Sequence, residues 1–412
     1  MSAERIGRRG LLGAAASAAI LPAAGRRARA EQPTVRIGVL NDQSGTYRDV
    51  TGPVSVACAR QAAEEFGGGH GCTVDIVTAD HQNKPDVAVS IARQWFDTGG
   101  VDLLVDVPTS SVALAVQSVA REKNKAYINT SAGTAQLTGE QCSPNCIHWA
   151  FDTAMLARST GGAMVKTGGD TWFFVTADYA FGQQLQKDTT AMINAAGGKV
   201  LGSIAYPFPE TTDFSGQLVQ AQSSGAKVLG LANAGNDTVN AVKQANEFGL
   251  TRSMKVATLL MFITDVHAIG LDVAHGLVLT ESFYWDLNDR TRAFTGRVLP
   301  KTGGVRPNMN QAGNYSAVTH YLKTVADMGP AAAKADGRAT VARMKALEVD
   351  DDAFGKSHIR EDGRNMVTAY LFEVKSKAES KGPWDYYKLR ATTPGDQAFR
   401  PLAEGHCPFV KA

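Results

Sequence analysis

The sequence lacks an excess of either charge. Across 412 residues, 42 Lys+Arg face 40 Asp+Glu, a formal net charge of +2. There is thus no broad basic field for nucleic acid and no acidic block that would act as a solvating tail. A hydrophobic run long enough for a bilayer is missing too: the apolar stretch at 10–25 is rich in small residues and falls short of the ~20 residues a spanning helix needs. No cysteine follows that stretch closely, which excludes a bacterial lipid anchor there.

Enzyme signatures are equally scarce. The run from Gly38 to Gly45 has the wrong glycine spacing for a dinucleotide loop, and Gly355-Lys356-Ser357 lacks the earlier glycine of a phosphate loop. No G-x-S-x-G elbow and no H-E-x-x-H helix occur, and the eight histidines are scattered. The expectation is a protein without catalytic residues, metal or cofactor.

What is present is an ordinary globular composition, 44% hydrophobic with 41 glycines, in a chain too long for one compact domain. Arg5, Arg8 and Arg9 precede the apolar stretch, which ends in Ala28-Arg29-Ala30, so residues 1–30 read as an export signal cut before Glu31. The paired Arg8-Arg9 resembles the twin-arginine type. Removing this segment leaves 36 basic and 39 acidic residues, a formal charge of −3. The expected product is a soluble periplasmic protein in a compartment where thiols oxidise. Cys142 and Cys146 flank Ser143-Pro144-Asn145, whose turn can bring them into bridging range, so a local disulfide is expected. Zinc is the alternative there, but beside His148 no fourth ligand is evident. Cys58, Cys72 and Cys407 leave at least one odd thiol.

The first half of the chain repeats one rhythm: a short β-branched or apolar run, a polar turn, then a helical pattern. Strands are expected at 34–40, 73–79, 101–107 and 126–129, with helices between them at 54–66, 87–97 and 111–123. Val87, Ile91 and Trp95 recur at four-residue spacing, and Pro85 and Asp86 suit that helix's first turn. Such alternation implies parallel strands with right-handed crossovers. The rhythm restarts after Asp152 with strands at 172–176, 199–205, 227–231, 256–260 and 277–280. Ten parallel strands in one open sheet would be exceptional, so two sheets are expected. Residues 289–348 read as helical, returning to the first lobe, and strands follow at 357–360, 368–374 and 385–389. The expected partition is 31–152 with 282–350 in one lobe and 153–281 with 351–412 in the other, with crossings near 151–153, 281–286 and 349–353.

Three polar turns stand at the carboxyl ends of the expected parallel strands, where open α/β sheets bind ligands. They run from Asn41 to Tyr47, from Pro108 to Ser111 and from Thr130 to Thr134. The last two precede helical segments, whose free N–H groups favour an anion without any Arg. Ordinary helix capping is the alternative for any single turn.

These residues resemble the type I periplasmic substrate-binding proteins of ABC transporters, in the leucine/isoleucine/valine-binding branch. The resemblance rests on the opening strand and Ser-Gly at 35–45, Ala-Asp-His-Gln-Asn-Lys-Pro-Asp at 79–86, Thr-Ser-Ser at 109–111 and Ser-Ala-Gly-Thr at 131–134. It continues through Asp-Tyr-Ala-Phe-Gly at 178–182 and Thr-Asp-Phe-Ser at 212–215, in order over about 350 residues. It implies an α/β fold of two Rossmann-like lobes with parallel sheets, joined by a three-segment hinge that closes on ligand. It also implies that Thr109, Ser110, Ser131 and Gly133 grip a ligand carboxylate and that Phe181 packs on the ligand. Two departures stand out: the family's acidic residue for an amino-acid ammonium should fall near Leu259-Leu260-Met261, which is apolar here, and small residues flank Asn233. An ammonium buried without an anion is costly. The expected ligand is therefore a carboxylate with an apolar or aromatic body. Tyr47, Tyr179, Phe181, Phe283, Tyr284 and Trp285 are candidates for its walls, and Asn233 and Met261 complete the candidate site.

The resulting expectation is the soluble binding component of an ABC importer, a monomer that delivers a small carboxylate to a permease and ATPase complex at the inner membrane. One alternative is a branched-chain or other amino-acid binder whose ammonium is held by Asp178, Asn233 or Asp237. Another is a periplasmic sensor subunit for a membrane receptor kinase.

Overall fold

The computed structural model describes residues 32–67 and 70–410; the expected export signal lies outside them. The first lobe is built on β1 (Thr34–Asn41), α1 (Gly52–Phe66), β2 (Thr73–Asp80), α2 (Pro85–Asp97), β3 (Leu103–Asp106), α3 (Ser110–Glu122), β4 (Ala126–Asn129) and β5 (Cys146–His148). Its five strands are all parallel, in the order β2-β1-β3-β4-β5. β5 is too short, and too close to the cysteines, to stand out in the sequence.

Both faces of this sheet are covered, as parallel sheets require. Ile37, Val39, Leu103, Val105 and Ile128 are fully or almost fully buried, and burial of each such side chain is worth about 1.5–3 kcal/mol. Along α2 the wholly buried positions are Ala88 and Ala92, with Phe96 nearly so, while Ile91 and Trp95 are half-buried. The stripe is thus centred one residue beyond the expected one, because alanines let the helix lie close to the sheet. Trp95 crosses β1 at Gly38, where a Cβ would stand 2.5 Å from the indole, so only glycine fits beneath it.

The second lobe begins with α4 (Thr153–Leu156) and α5 (Gly162–Lys166), which flank a π-helical turn. It continues through β6 (Thr171–Ala177), α6 (Ala180–Ala195), β7 (Lys199–Tyr206), α7 (Ser215–Ser223), β8 (Val228–Ala232), α8 (Asn236–Glu247), β9 (Lys255–Thr258), α9 (Ile263–Ile269), α10 (Leu271–Ala274) and β10 (Val278–Glu281). β7-β6-β8-β9 form a second parallel sheet. β10 leaves that sheet and pairs antiparallel with β13 (below) instead.

From there α11 (Asp289–Val298) and α12 (Met309–Met328) return to the first lobe, where α12 lies along α1. α12 opens with a reciprocal cap. The Asn308 side chain accepts from the amides of Asn310 (2.9 Å) and Gln311 (3.1 Å), while Gln311 Oε1 accepts from the Asn308 amide (3.0 Å). α13 (Pro330–Ala335) and α14 (Gly337–Ala346) follow, then the hairpin of β11 (Val349–Asp351) and β12 (Gly355–Ser357). β13 (Ala369–Val374) and β14 (Tyr387–Thr393) complete an antiparallel sheet in the order β10-β13-β14. Among the described residues, no helix is long and apolar enough to cross a membrane.

Two expectations are corrected. The segment after Val349 does not pass directly to the second lobe: β11 packs on α12, and Arg364 bridges in parallel to His148 of β5, so the chain stays with the first sheet until about residue 366. The tail also comes back, with the Arg400 guanidinium donating to the Ala135 carbonyl at 2.6 Å. The disulfide joins Cys142 to Cys407, with 5.6 Å between their α-carbons, and Cys146 is a free, buried thiol. The reason is orientation: Cys146 opens β5 and its side chain enters the core beside α3, whereas Cys142 meets the returning tail.

This bridge closes a loop across a sequence separation of 265 residues. The chain-entropy argument assigns long loops a stabilisation of about 3–5 kcal/mol. Peptide mapping without reductant is expected to recover the 142–407 link, and Cys407→Ser to lower the melting temperature by several degrees. Recovery of a 142–146 link instead would overturn the pairing.

Candidate ligand-binding site

The carboxyl ends of the two parallel sheets face each other across a nearly closed cleft with about 20 Å³ of free space. On the first-lobe side the geometry starts with Asp42, wholly buried just beyond β1. Its carboxylate accepts from the amides of Gly45 (2.7 Å) and Tyr47 (2.8 Å) and from Asn83 Nδ2 (2.6 Å). That gathers the 42–47 loop and aims Tyr47 into the cleft. Asn83 in turn accepts the Thr109 hydroxyl through Oδ1.

Between β3 and α3 the backbone turns through positive φ at Asp106 (81°), Val107 (54°) and Thr109 (70°). Such values are costly for residues other than glycine, and for a β-branched valine especially, so the turn must be held by its surroundings. Asn129 does this, its Nδ2 donating to the carbonyls of Asp106 (3.1 Å) and Val107 (2.9 Å), while its Oδ1 accepts the Ala132 amide (2.9 Å). One asparagine thereby stitches together the two turns that carry Thr109, Ser110, Ser131 and Gly133. Ser110 opens α3, so its N–H belongs to the unpaired first turn, the polarity that suits an anion.

The second lobe contributes Tyr179, which precedes α6, and Phe181 in its first turn. Tyr179 stacks on Phe208 with ring centroids 4.2 Å apart; Tyr47 meets the same ring at 5.5 Å, and the two tyrosine hydroxyls hydrogen-bond to each other across the cleft. The lobes also meet at the start of α8: the Asn236 amide donates to the Thr46 carbonyl (3.2 Å) and the Thr46 hydroxyl to Asp237 (3.2 Å). Burial pushes the Asp237 carboxyl up to about 6, against hydrogen bonds from Tyr206 and Thr46 that favour its ionised form.

Of the residues expected in the site, Tyr47, Thr109, Ser110, Ser131, Gly133, Tyr179 and Phe181 all line this cleft. Asn233, Met261 and Tyr284 do not. Asn233 is buried and takes the Thr238 hydroxyl at 2.8 Å, anchoring the turn into α8, and its neighbour Ala234 faces the cleft. Met261 lies in the second-lobe core, one position from Leu260, which does line the cleft. Tyr284 packs on Tyr387 and Phe372 and donates to the Trp384 carbonyl, as does Trp285. Phe283 is in core packing against Phe294. Asp178 and Asp237 do not line the cleft.

Sequence reasoning missed Val50, Phe151, Phe262 and Asn310 as lining residues. Phe151 and Phe262 meet edge to face at the hinge, 6.4 Å between centroids. Asn310 arrives from the first turn of α12, far along the chain, with no local signature. Among the described residues, no Lys, Arg, His, Asp or Glu lines the cleft, so any ligand charge meets hydroxyls, amides and helix polarity.

Family comparison agrees with this architecture. A model of the periplasmic binding protein family matches residues 34–381, and the chain belongs to that family. It is 49% identical to a periplasmic binding protein of Burkholderia mallei of known crystal structure, with a TM-score of 0.88, covering 92% of this chain and 99% of that one. A branched-chain amino acid ABC transporter periplasmic ligand-binding protein of Burkholderia xenovorans LB400 is 39% identical, with a TM-score of 0.79 and coverage of 91% and 99%. A solute-binding protein of an ABC transporter from R. palustris, in complex with benzoate, shares the fold at 21% identity, with a TM-score of 0.78 and coverage of 88% and 97%. No curated protein matches the sequence.

Gly133 offers a direct check of the cleft. A Cβ there would stand 2.6 Å from the Phe181 ring of the other lobe and 2.9 Å from Phe151. Overpacking of this kind costs about 1–3 kcal/mol. Gly133→Ala is expected to weaken ligand binding by about 10- to 100-fold and to lower the melting temperature of the ligand-free protein by a few degrees. An unchanged dissociation constant in calorimetry would place the ligand elsewhere.

Proposed function

We propose that this protein is the periplasmic binding component of an ABC importer and captures a small organic acid with an aromatic or apolar body. It would deliver that acid to a permease and ATPase complex at the inner membrane. The observation that carries the reading is the uncharged cleft, with the Thr109, Ser110 and Ser131 turns on one side and the rings of Tyr47, Phe151, Tyr179, Phe181 and Phe262 around it. Hydroxyls and first-turn amides suit a carboxylate, and aromatic rings suit a planar or branched hydrocarbon body. The free space inside the cleft is only about 20 Å³, so the two lobes would have to part to admit the ligand.

A second reading, an amino-acid binder, is favoured by the Burkholderia xenovorans relative, a branched-chain amino acid ABC transporter periplasmic ligand-binding protein. Against it, no carboxylate lines the cleft among the described residues. Asp237 is occupied by Tyr206 (2.8 Å) and Thr46, where it joins the lobes.

The two separate in a thermal-shift and calorimetric screen of benzoate-type acids, branched aliphatic acids, leucine and valine. A ligand at 100 times its dissociation constant adds about 2.7 kcal/mol of stability. Aromatic or aliphatic acids are expected to raise the melting temperature by several degrees and the amino acids to leave it unchanged. The reverse pattern would replace this reading with the second. Thr109→Ala combined with Ser131→Ala is expected to weaken binding at least tenfold; full affinity in that variant would refute the anion subsite.

A further inference from the structure

Asp106 is a carboxylic acid beneath the cleft that the binding reading leaves unused. It ends β3 and is wholly buried. Its Oδ1 takes the Thr130 hydroxyl at 3.2 Å and the Ser131 hydroxyl at shorter range, and its Oδ2 takes Asn41 Nδ2 at 2.9 Å. Ser55 of α1 and Asn314 of α12 face it as well. The titratable groups that sense its charge are Cys58 of α1 and Tyr127 of β4, both pushed upward by burial and neutral at ordinary pH. Among the described residues no Lys, Arg or His forms a salt bridge with it. An ionised Asp106 is therefore an unbalanced buried charge, separated from the cleft by one serine.

Hydroxyl protons decide what the cleft can offer. Ser131 has one O–H. Opposite an ionised Asp106, which only accepts, that proton is committed inward and Ser131 presents a lone pair to the cleft. The Thr109 proton is already given to Asn83 Oδ1. Two hydroxyls would then face a ligand carboxylate as acceptors, with a second anion behind them. A proton on Asp106 Oδ1 reverses the chain: Asp106 donates to Ser131 Oγ, and Ser131 donates to the ligand.

We infer that Asp106 is a positioning residue that takes up a proton as an anionic ligand binds, turning Ser131 from acceptor into donor. This rests on the reading of the ligand as a carboxylate. Burial already pushes the Asp106 carboxyl above its ordinary range, against the hydrogen bonds from Ser131 and Asn41 that favour the ion, so the ligand needs to supply only the remaining increment. The sign follows from linkage: binding an anion favours the protonated acid, so affinity is level below the free-state pKa and declines above it, by up to tenfold per pH unit.

The test is calorimetry of the purified protein with benzoate-type and branched aliphatic acids, in buffers of different ionisation enthalpy, from about pH 5 to 9.5. The expected result is uptake of up to one proton per ligand, with affinity falling as pH rises. Asp106→Asn, whose amide donates to Ser131 at every pH, is expected to bind with a flat profile and to exceed the wild type at the alkaline end. Asp237→Asn, a control for the other titrating carboxyl at the lobe contact, is expected to keep the slope. Carboxylate binding with no proton uptake and no pH dependence overturns the inference while leaving the binding reading intact, and so does a slope that persists in Asp106→Asn. Binding of leucine or valine with no response to any simple acid overturns both. Should Asp106→Asn fail to fold, Ser131→Ala, which removes the hydroxyl that Asp106 turns, is expected to lose the pH slope, and a slope that persists there overturns the inference.

Discussion

The Glu281 carboxylate stands where the second crossing leaves β10, and two helix N-termini share it. Its Oε1 accepts from the amide of Ile263, which opens α9 in the second lobe, and from the Tyr387 hydroxyl of β14; its Oε2 accepts from the amide of Met309, which opens α12 on the first. First-turn amides have no partner within their own helix, and an acceptor placed between two such turns satisfies both at once. Burial pushes this carboxyl up to about 8, while hydrogen bonds from Met309, Tyr387 and Ile263 pull it back. The arrangement puts the start of α12, and with it Asn310, at the edge of the cleft beside Phe262. The second crossing and the edge of the cleft are therefore the same piece of structure.

A second buried polar group supports the first crossing in a similar way. The Arg364 guanidinium is wholly buried, donates to the Phe151 carbonyl at 2.8 Å and lies over the Phe399 ring at 4.5 Å. Burial lowers it to about 10, which leaves it charged, and Asp152 stands 3.9 Å away as its counter-ion. Arg364 thus ties the crossing after β5 to the segment that folds over β5 and to the returning tail. Among the described residues, the cleft between these supports has neither kind of charge at its walls. The cleft tolerates only glycine where Gly133 meets Phe181.

Much of the frame was legible before any coordinate. The β-branched runs at 34–40 and 73–79 match β1 and β2 closely, since period and turn residues are local properties of the chain. The three polar turns of the first lobe were legible because parallel strands place their carboxyl ends together. What escaped was one-residue phase and long-range return. Leu260 and not Met261 faces the cleft, and a strand end shifted by one residue reverses which side chain points inward. Asn310 carried no signal, because its place depends on where α12 lands.

The cysteines state the division most plainly. The chain by itself determined a two-lobed α/β protein with parallel sheets and hydroxyl-rich turns at their carboxyl ends. Only the tertiary structure decided that Cys142 meets Cys407 instead of Cys146, that Tyr284 and Trp285 serve Trp384 instead of the cleft, and that Asp106 lies directly behind Ser131. Secondary structure follows from periodicity and turn chemistry within about a dozen residues. Pairings across hundreds of residues follow from which faces pack, and no local pattern encodes that.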